Sequence, residues 1–205
     1  MYAAEFDYVR ASSIEEAISL KRANEDSSLL AGGHSLIPAM KLRLSTPQKL
    51  IDISGLDQLK NISNNGSYIS IGALCTHKQC AESDIIQSNC PALSDAASVI
   101  GDPHVRNKGT LGGALAHSDP QADYPGVVLA LNATIIVEGS GGERTIEAVD
   151  YFTGLWETEL GENEILTEVR IPTDRANANS CYLKFPQPCF LYTSPSPRDQ
   201  RGSRM

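Results

Sequence analysis

The chain has 205 residues, a formal net charge of −8, and 41% hydrophobic and 20% charged residues, ordinary proportions for a soluble globular protein of one or two domains with a sizeable core. The acidic balance shows no Lys/Arg stripe, which excludes a nucleic-acid partner, and no apolar run reaches membrane-spanning length, nor does a charged-then-apolar leader open the chain. Its five cysteines (Cys75, Cys80, Cys90, Cys181, Cys189) are odd in number and form no Cys-x-x-Cys pair, which excludes the usual zinc and iron–sulfur spacings and fits reduced thiols in the cytosol.

Glu5 to Val9 reads as a short strand. Ser13-Ile14-Glu15-Glu16 matches a capping box, followed by Ile14, Ala17 and Ile18 at helical spacing, in a helix fading by Asn24. Leu29-Leu30-Ala31 is a short apolar strand leading into Gly32-Gly33. A short helix over Leu36 to Leu44 and a buried strand over Leu50 to Ile53 complete a compact α/β unit. Asn64-Asn65-Gly66, between Leu59–Ile62 and Tyr68–Ile71, is an Asn-Gly hairpin signal. Thr76-His77-Lys78-Gln79 is a second capping box, opening a helix toward Glu82, on which His77 is expected to be solvated. Pro91 starts another helix, ending at Gly101. From Gly101 to Pro125 the chain is too rich in Gly, Pro and Asp for a helix or strand interior, and a loop of that length is expected to be functional. A helix over Asp123 to Leu131, a strand over Ala133 to Glu138, a turn at Gly139–Gly142, a strand over Arg144 to Glu147 and a last alternating strand over Ile165 to Ile171 follow. These make a second, strand-rich α+β unit. From about Phe190 the chain loses periodicity and gains Pro, Ser and Arg; this tail is expected to be disordered and to resemble the translated adapter tails of incompletely assembled proteins, foreign to the natural gene product.

Two loops carry the chemistry. A Gly-Gly pair after a strand lets the backbone approach a ligand and turns consecutive N–H groups inward as an anion-binding concavity. Gly32-Gly33 offers this, with the Ser35 hydroxyl and the start of a short helix beside it, and Gly112-Gly113 after Thr110 repeats the equipment. Each loop alone also reads as a tight turn. Neither Gly-x-x-x-x-Gly-Lys-Ser/Thr nor a strand-linked Gly-x-Gly-x-x-Gly occurs, and Gly-x-Ser-x-Gly is absent. His34, His104 and His117 with Asp102, Asp119 and Asp123 can be drawn as a metal site, but their spacings match no compact ligand pattern, so no metal is expected. Composition and spacing alone lead to an α+β protein with an anion-binding cleft between two loops.

Ala31-Gly32-Gly33-His34-Ser35-Leu36-Ile37-Pro38, with Met40-Lys41-Leu42-Arg43 after it, resembles the first flavin-binding loop of the medium subunit of molybdenum hydroxylases. Ile100-Gly101-Asp102-Pro103-His104-Val105-Arg106-Asn107, leading to Thr110-Leu111-Gly112-Gly113, resembles the second. The resemblance, to the carbon monoxide dehydrogenase and xanthine dehydrogenase group, runs from about Glu5 to Pro188. It implies a two-lobed α+β FAD-binding fold of the vanillyl-alcohol-oxidase (PCMH) type, with a small N-terminal α/β lobe over 1–54, a larger lobe over 55–175, and a truncated third domain begun over 176–189 before the tail at 190–205. It also implies non-covalent FAD, with Ala31 through Leu36 cradling the diphosphate. Ile100 would belong to the second flavin loop. Thr110, Gly112 and Gly113 would approach from the other lobe, His117 and Asp123 would bond ribityl or ribose hydroxyls, Ile165 or Leu166 would line the cleft, and Lys184 would lie near the isoalloxazine. Side chains would do no catalysis of their own. Molybdenum cofactor on a large subunit and [2Fe–2S] clusters on a small one would be partners, assembled as a dimer of heterotrimers in the cytoplasm or, through partners, at the inner face of the membrane. A stand-alone FAD reductase and a non-enzymatic nucleotide-binding module are the alternatives.

Overall fold

The first sheet is parallel and built from three short strands. In the computed structural model, which describes residues 2–173 and 180–185, these are β1 (Asp7–Arg10), β2 (Ser27–Leu30) and β3 (Lys49–Asp52), in the order β1-β3-β2. Parallel neighbours need crossovers. Here α1 (Ile14–Arg22) links β1 to β2, and α2 (Leu36–Lys41) lies between β2 and β3. Ser13 caps α1 by accepting from the Glu16 N–H, while the Glu16 carboxylate reaches back to Ser12 rather than to Ser13, so the box closes one residue earlier than its pattern implies. Ile14, Ala17 and Ile18 form the buried stripe of α1 and share a core with Ile51 and Ile53. α2 is shorter than predicted, because Arg43 takes a left-handed φ of 58° and stops the helix before Leu44.

A 3₁₀ turn at Asp57–Lys60 leads to β4 (Ile62–Asn64) and β5 (Tyr68–Gly72), the hairpin predicted at Asn64-Asn65-Gly66, where Gly66 carries a φ of +91°. Helices α3 (His77–Glu82), α4 (Asp84–Asn89) and α5 (Pro91–Ser98) follow. The capping box at Thr76 and Gln79 is complete in both directions, and Pro91 is the first residue of α5. The sequence reading missed α4, capped by Ser83, and carried α5 three residues too far.

The segment from Gly101 to Pro125 is not one loop. It folds into α6 (Pro103–Arg106), α7 (Leu111–His117) and the start of α8 (Asp123–Ala130). The residues that argued against structure are helix-starting residues here. Asp102 caps α6 through its carboxylate and Val105 N–H at 2.9 Å, with Pro103 at the position where a missing N–H costs nothing. Thr110 caps α7 through Gly113 N–H at 3.1 Å. Gly112 and Gly113 thus lie in the first turn of a helix.

After α8 come β6 (Thr134–Gly139), β7 (Gly142–Glu147), α9 (Ala148–Tyr151), a small hairpin of β8 (Phe152–Gly154) and β9 (Glu157–Thr158), and β10 (Ile165–Pro172). The second sheet is antiparallel in the order β4-β5-β10-β6-β7. Its Ile69, Ile71, Ile135, Val137, Val169 and Ile171 share the larger core with residues of α3, α4, α5, α7 and α8. A bulge in β10 between Leu166 and Glu168 shifts the alternation by one residue. Leu166 therefore faces the larger core, and Ile165 turns to the smaller one with Leu56, Leu59 and Leu74. The expected tail from about Phe190 lies outside the described residues. Among the described residues, no helix is long and apolar enough to cross a membrane.

Candidate functional site

The two glycine segments meet through backbone. A Cβ on Gly32 would stand 2.1 Å from the Lys108 carbonyl oxygen and 2.9 Å from the Gly109 Cα, so no side chain fits between the end of β2 and the start of α7. Beside this contact opens a cleft of about 700 Å³, within the range of small-molecule and cofactor sites.

One wall is Ala31 through Leu36. Gly33 needs its glycine for conformation as well as space, with φ at +75°. The backbone N–H groups of Gly32, Gly33, His34 and Ser35 find no acceptor among the described residues, a run of consecutive free donors suited to an anion. The other wall is Ile100, Val105, Gly109, Thr110, Gly112 and Gly113, with His117 farther along α7. Here the expectation of a second, equivalent cradle fails. The N–H groups of Leu111 and Gly112 donate to the carbonyls of Cys75 (2.9 Å) and Ala73 (2.8 Å), and that of Gly113 to the Thr110 hydroxyl. The second pair serves clearance instead. A Cβ on Gly112 would meet Ala73 Cβ at 2.5 Å, whereas one on Gly113 would meet only the Thr110 hydroxyl at 2.8 Å and Ala31 Cβ at 3.9 Å, across the cleft.

Ile165 and Leu166 both line the cleft. Asp123 and Lys184 are not among the lining residues. They pair with each other at 2.9 Å, and the Tyr182 hydroxyl donates to the same carboxylate.

Several lining residues carried no sequence signal as site residues: Ala73, Leu74, Lys21 and the turn Gly161–Glu164. Burial holds the Lys21 ammonium below its ordinary range, against the opposing pull of Glu162. Glu164 fixes the turn, accepting the Gly161 N–H at 2.7 Å and both Arg144 nitrogens at 2.7 and 2.8 Å. The Arg144 hydrogen bonds hold its carboxyl below the usual carboxylate range.

His77 overturns its expected exposure. It is 5% exposed, lines the cleft, and bonds the Tyr124 hydroxyl through Nδ1 at 3.2 Å. Burial, then the neighbouring His34, push its pKa down to about 4, so it is neutral at ordinary pH. A signal existed in the His77–Cys80 spacing, which puts the imidazole on the same helix face as a buried thiol.

Two glycine-governed segments, one with four N–H groups that find no acceptor among the described residues, border a cleft with the room and the donors for a phosphate-bearing cofactor. Residues 4–174 match the family described as the FAD binding domain in molybdopterin dehydrogenase, and the chain belongs to it. The glyceraldehyde dehydrogenase medium chain of Sulfolobus acidocaldarius is 41% identical over 84% of this chain and 61% of its own length, and the carbon monoxide dehydrogenase medium chain of Hydrogenophaga pseudoflava is 41% identical over 87% and 63%. Among solved structures, carbon monoxide dehydrogenase from Hydrogenophaga pseudoflava superposes with a TM-score of 0.83 at 42% identity over 84% of this chain and 61% of that one. Quinoline 2-oxidoreductase from Pseudomonas putida 86 gives 0.82 at 34% identity, with the same shares of each chain covered. The chain thus spans about three fifths of the length of the relatives it matches. The fold is the two-lobed FAD-binding fold of this family, and its cofactor is FAD.

Proposed function

We propose that this chain is the electron-transfer flavoprotein subunit of a molybdenum-containing hydroxylase or dehydrogenase. Electrons from a molybdenum cofactor on a large subunit and [2Fe–2S] clusters on a small one would leave through its FAD to an external acceptor. The observation that carries this reading is the row of unpaired N–H groups at Gly32–Ser35, facing a side-chain-free opening at Gly113 in a chain of this family. FAD, when bound, supplies the redox chemistry, and the protein supplies position and electrostatics.

The chain's own residues then have separable tasks. Gly32 to Ser35 hold the diphosphate by neutral backbone donors, which lets a protein of net charge −8 bind an anionic cofactor without a cluster of cations. Gly113 leaves the ligand room. His117 reaches ribityl or ribose hydroxyls, and Ile165 and Leu166 pack against the apolar part of the ligand. Asp123 and Lys184, assigned ligand roles by the family likeness, hold each other in this structure, so cofactor contact requires them to exchange that pair for the ligand. We take 1–54 and 55–175 as the two lobes, in line with one parallel and one antiparallel sheet. Medium-chain relatives support large and small partner subunits, for which we propose a dimer of heterotrimers. Buried, unpaired Cys75, Cys80 and Cys90 suit a reducing cytoplasm.

Expression alone and together with neighbouring large- and small-subunit genes tests the reading. A yellow protein that releases all its flavin on denaturation, and that co-purifies with both partners, is the expected result. Flavin retained on the denatured chain contradicts non-covalent binding, and a flavoprotein that captures neither partner points to a stand-alone reductase.

A further inference from the structure

The His77 imidazole has one ring nitrogen committed and one open. Nδ1 faces the hydroxyl of Tyr124, a fully buried residue whose hydroxyl sits beside the Cys80 thiol. A neutral thiol is a poor acceptor and an imidazole nitrogen a good one. The phenol proton therefore goes to Nδ1, and Nε2 carries the ring hydrogen. Nε2 finds no acceptor among the described residues, although the side chain is 5% exposed and lines the cleft. Its place is set by glycine as well. A Cβ on Gly109 would come 2.5 Å from Nε2, so only glycine fits against that edge of the ring. Gly109 is also the residue against which Gly32 packs. The open nitrogen thus lies one backbone layer from the turn with unpaired N–H groups.

We propose that His77 is a further cofactor-binding residue, whose Nε2–H donates into the cleft to a diphosphate oxygen of the bound dinucleotide, with Tyr124 fixing the tautomer. This rests on the flavoprotein reading above. A donor at the cleft wall with no partner among the described residues, beside an anion-binding turn, is satisfied by the ligand itself, and a neutral donor matches a cradle that otherwise uses backbone N–H groups.

The test is FAD titration of the apo full-length chain, wild type beside His77→Phe, His77→Gln and Tyr124→Phe, with ¹H–¹⁵N correlation of the imidazole. His77→Phe should weaken FAD by roughly tenfold or more, as for a lost hydrogen bond to a charged group. His77→Gln, which keeps a donor near Nε2, should recover most of that affinity, and Tyr124→Phe should lose about threefold through the unfixed tautomer. In the wild type, nitrogen shifts should report an Nε2–H tautomer, and its proton should move downfield on adding FAD. Wild-type affinity in folded His77→Phe, or imidazole signals that FAD leaves unmoved, overturns the proposal. Should His77→Phe not fold, the glutamine variant and the wild-type spectra decide it alone. Absence of FAD binding by the wild type sinks the flavoprotein reading and this proposal with it; binding without a His77 response sinks the proposal only.

Discussion

Glycines that look alike in the sequence differ sharply in what a methyl group would meet. Gly113 sits in the first turn of α7 with helical φ, so valine there violates no positive-φ requirement; it loses at most the Thr110 cap, worth about 1 kcal/mol, and fills the cleft beside Ala31. Gly113→Val is expected to lower FAD affinity at least tenfold, with the melting temperature of the apoprotein within about 2–4 °C of wild type. Flavin titration beside a melting curve checks this, and wild-type affinity would show that the α7 wall does not face the ligand. At Gly32 the added methyl meets a backbone carbonyl at 2.1 Å, and backbone cannot swing away. Gly32→Ala should therefore cost on the order of 1–3 kcal/mol in stability as well as cofactor affinity. An alanine variant that melts like the wild type would contradict the close approach of the two segments.

At the scale of elements, caps and breakers decide where helices run. The sequence made the caps at Ser13 and Thr76 legible because each needs only residues three apart. The same local chemistry at Asp102 and Thr110 was hidden by neighbouring Pro and Gly, which taken in bulk read as loop. Only packing on Ala73 shows why Gly112 belongs in a helix. Gly126 gives the contrasting case. It lies inside α8 without positive φ, and a Cβ there meets nothing within 4 Å. Gly126→Ala should stabilise the protein by about 0.5–1 kcal/mol through helix propensity, raising the melting temperature by roughly 1–4 °C. A lowered melting temperature would mean that α8 packs closely at this face.

Across the whole molecule, acid sensitivity follows from one buried imidazole. Tyr124, His34, Arg106 and Asp123 act on His77, and burial dominates, holding its pKa at about 4 against an ordinary 6.5. The unfolded chain thus binds a proton that the folded chain refuses. Stability from this group is complete above pH 6.5 and declines as pH falls toward 4. Its loss amounts to something on the order of 3 kcal/mol. Apoprotein His77→Phe should therefore show a shallower fall of melting temperature over that window than the wild type. An unchanged slope would place the acid sensitivity elsewhere.

Local rules by themselves determined most element types, the hairpin at Asn64–Gly66, the capped helices, and the glycine turn that follows β2, because propensity, caps and alternation act within a few residues. The family likeness of two separate loops in order made the FAD reading legible as well. Tertiary structure alone decided that Gly32 touches Lys108, that a bulge puts Leu166 rather than Ile165 in the larger core with Val169 and Ile171, and that His77 is buried with one nitrogen open. Each depends on contacts between residues tens of positions apart, whose distance no local pattern encodes, and on whether a missing side chain frees a conformation or lets two backbones meet.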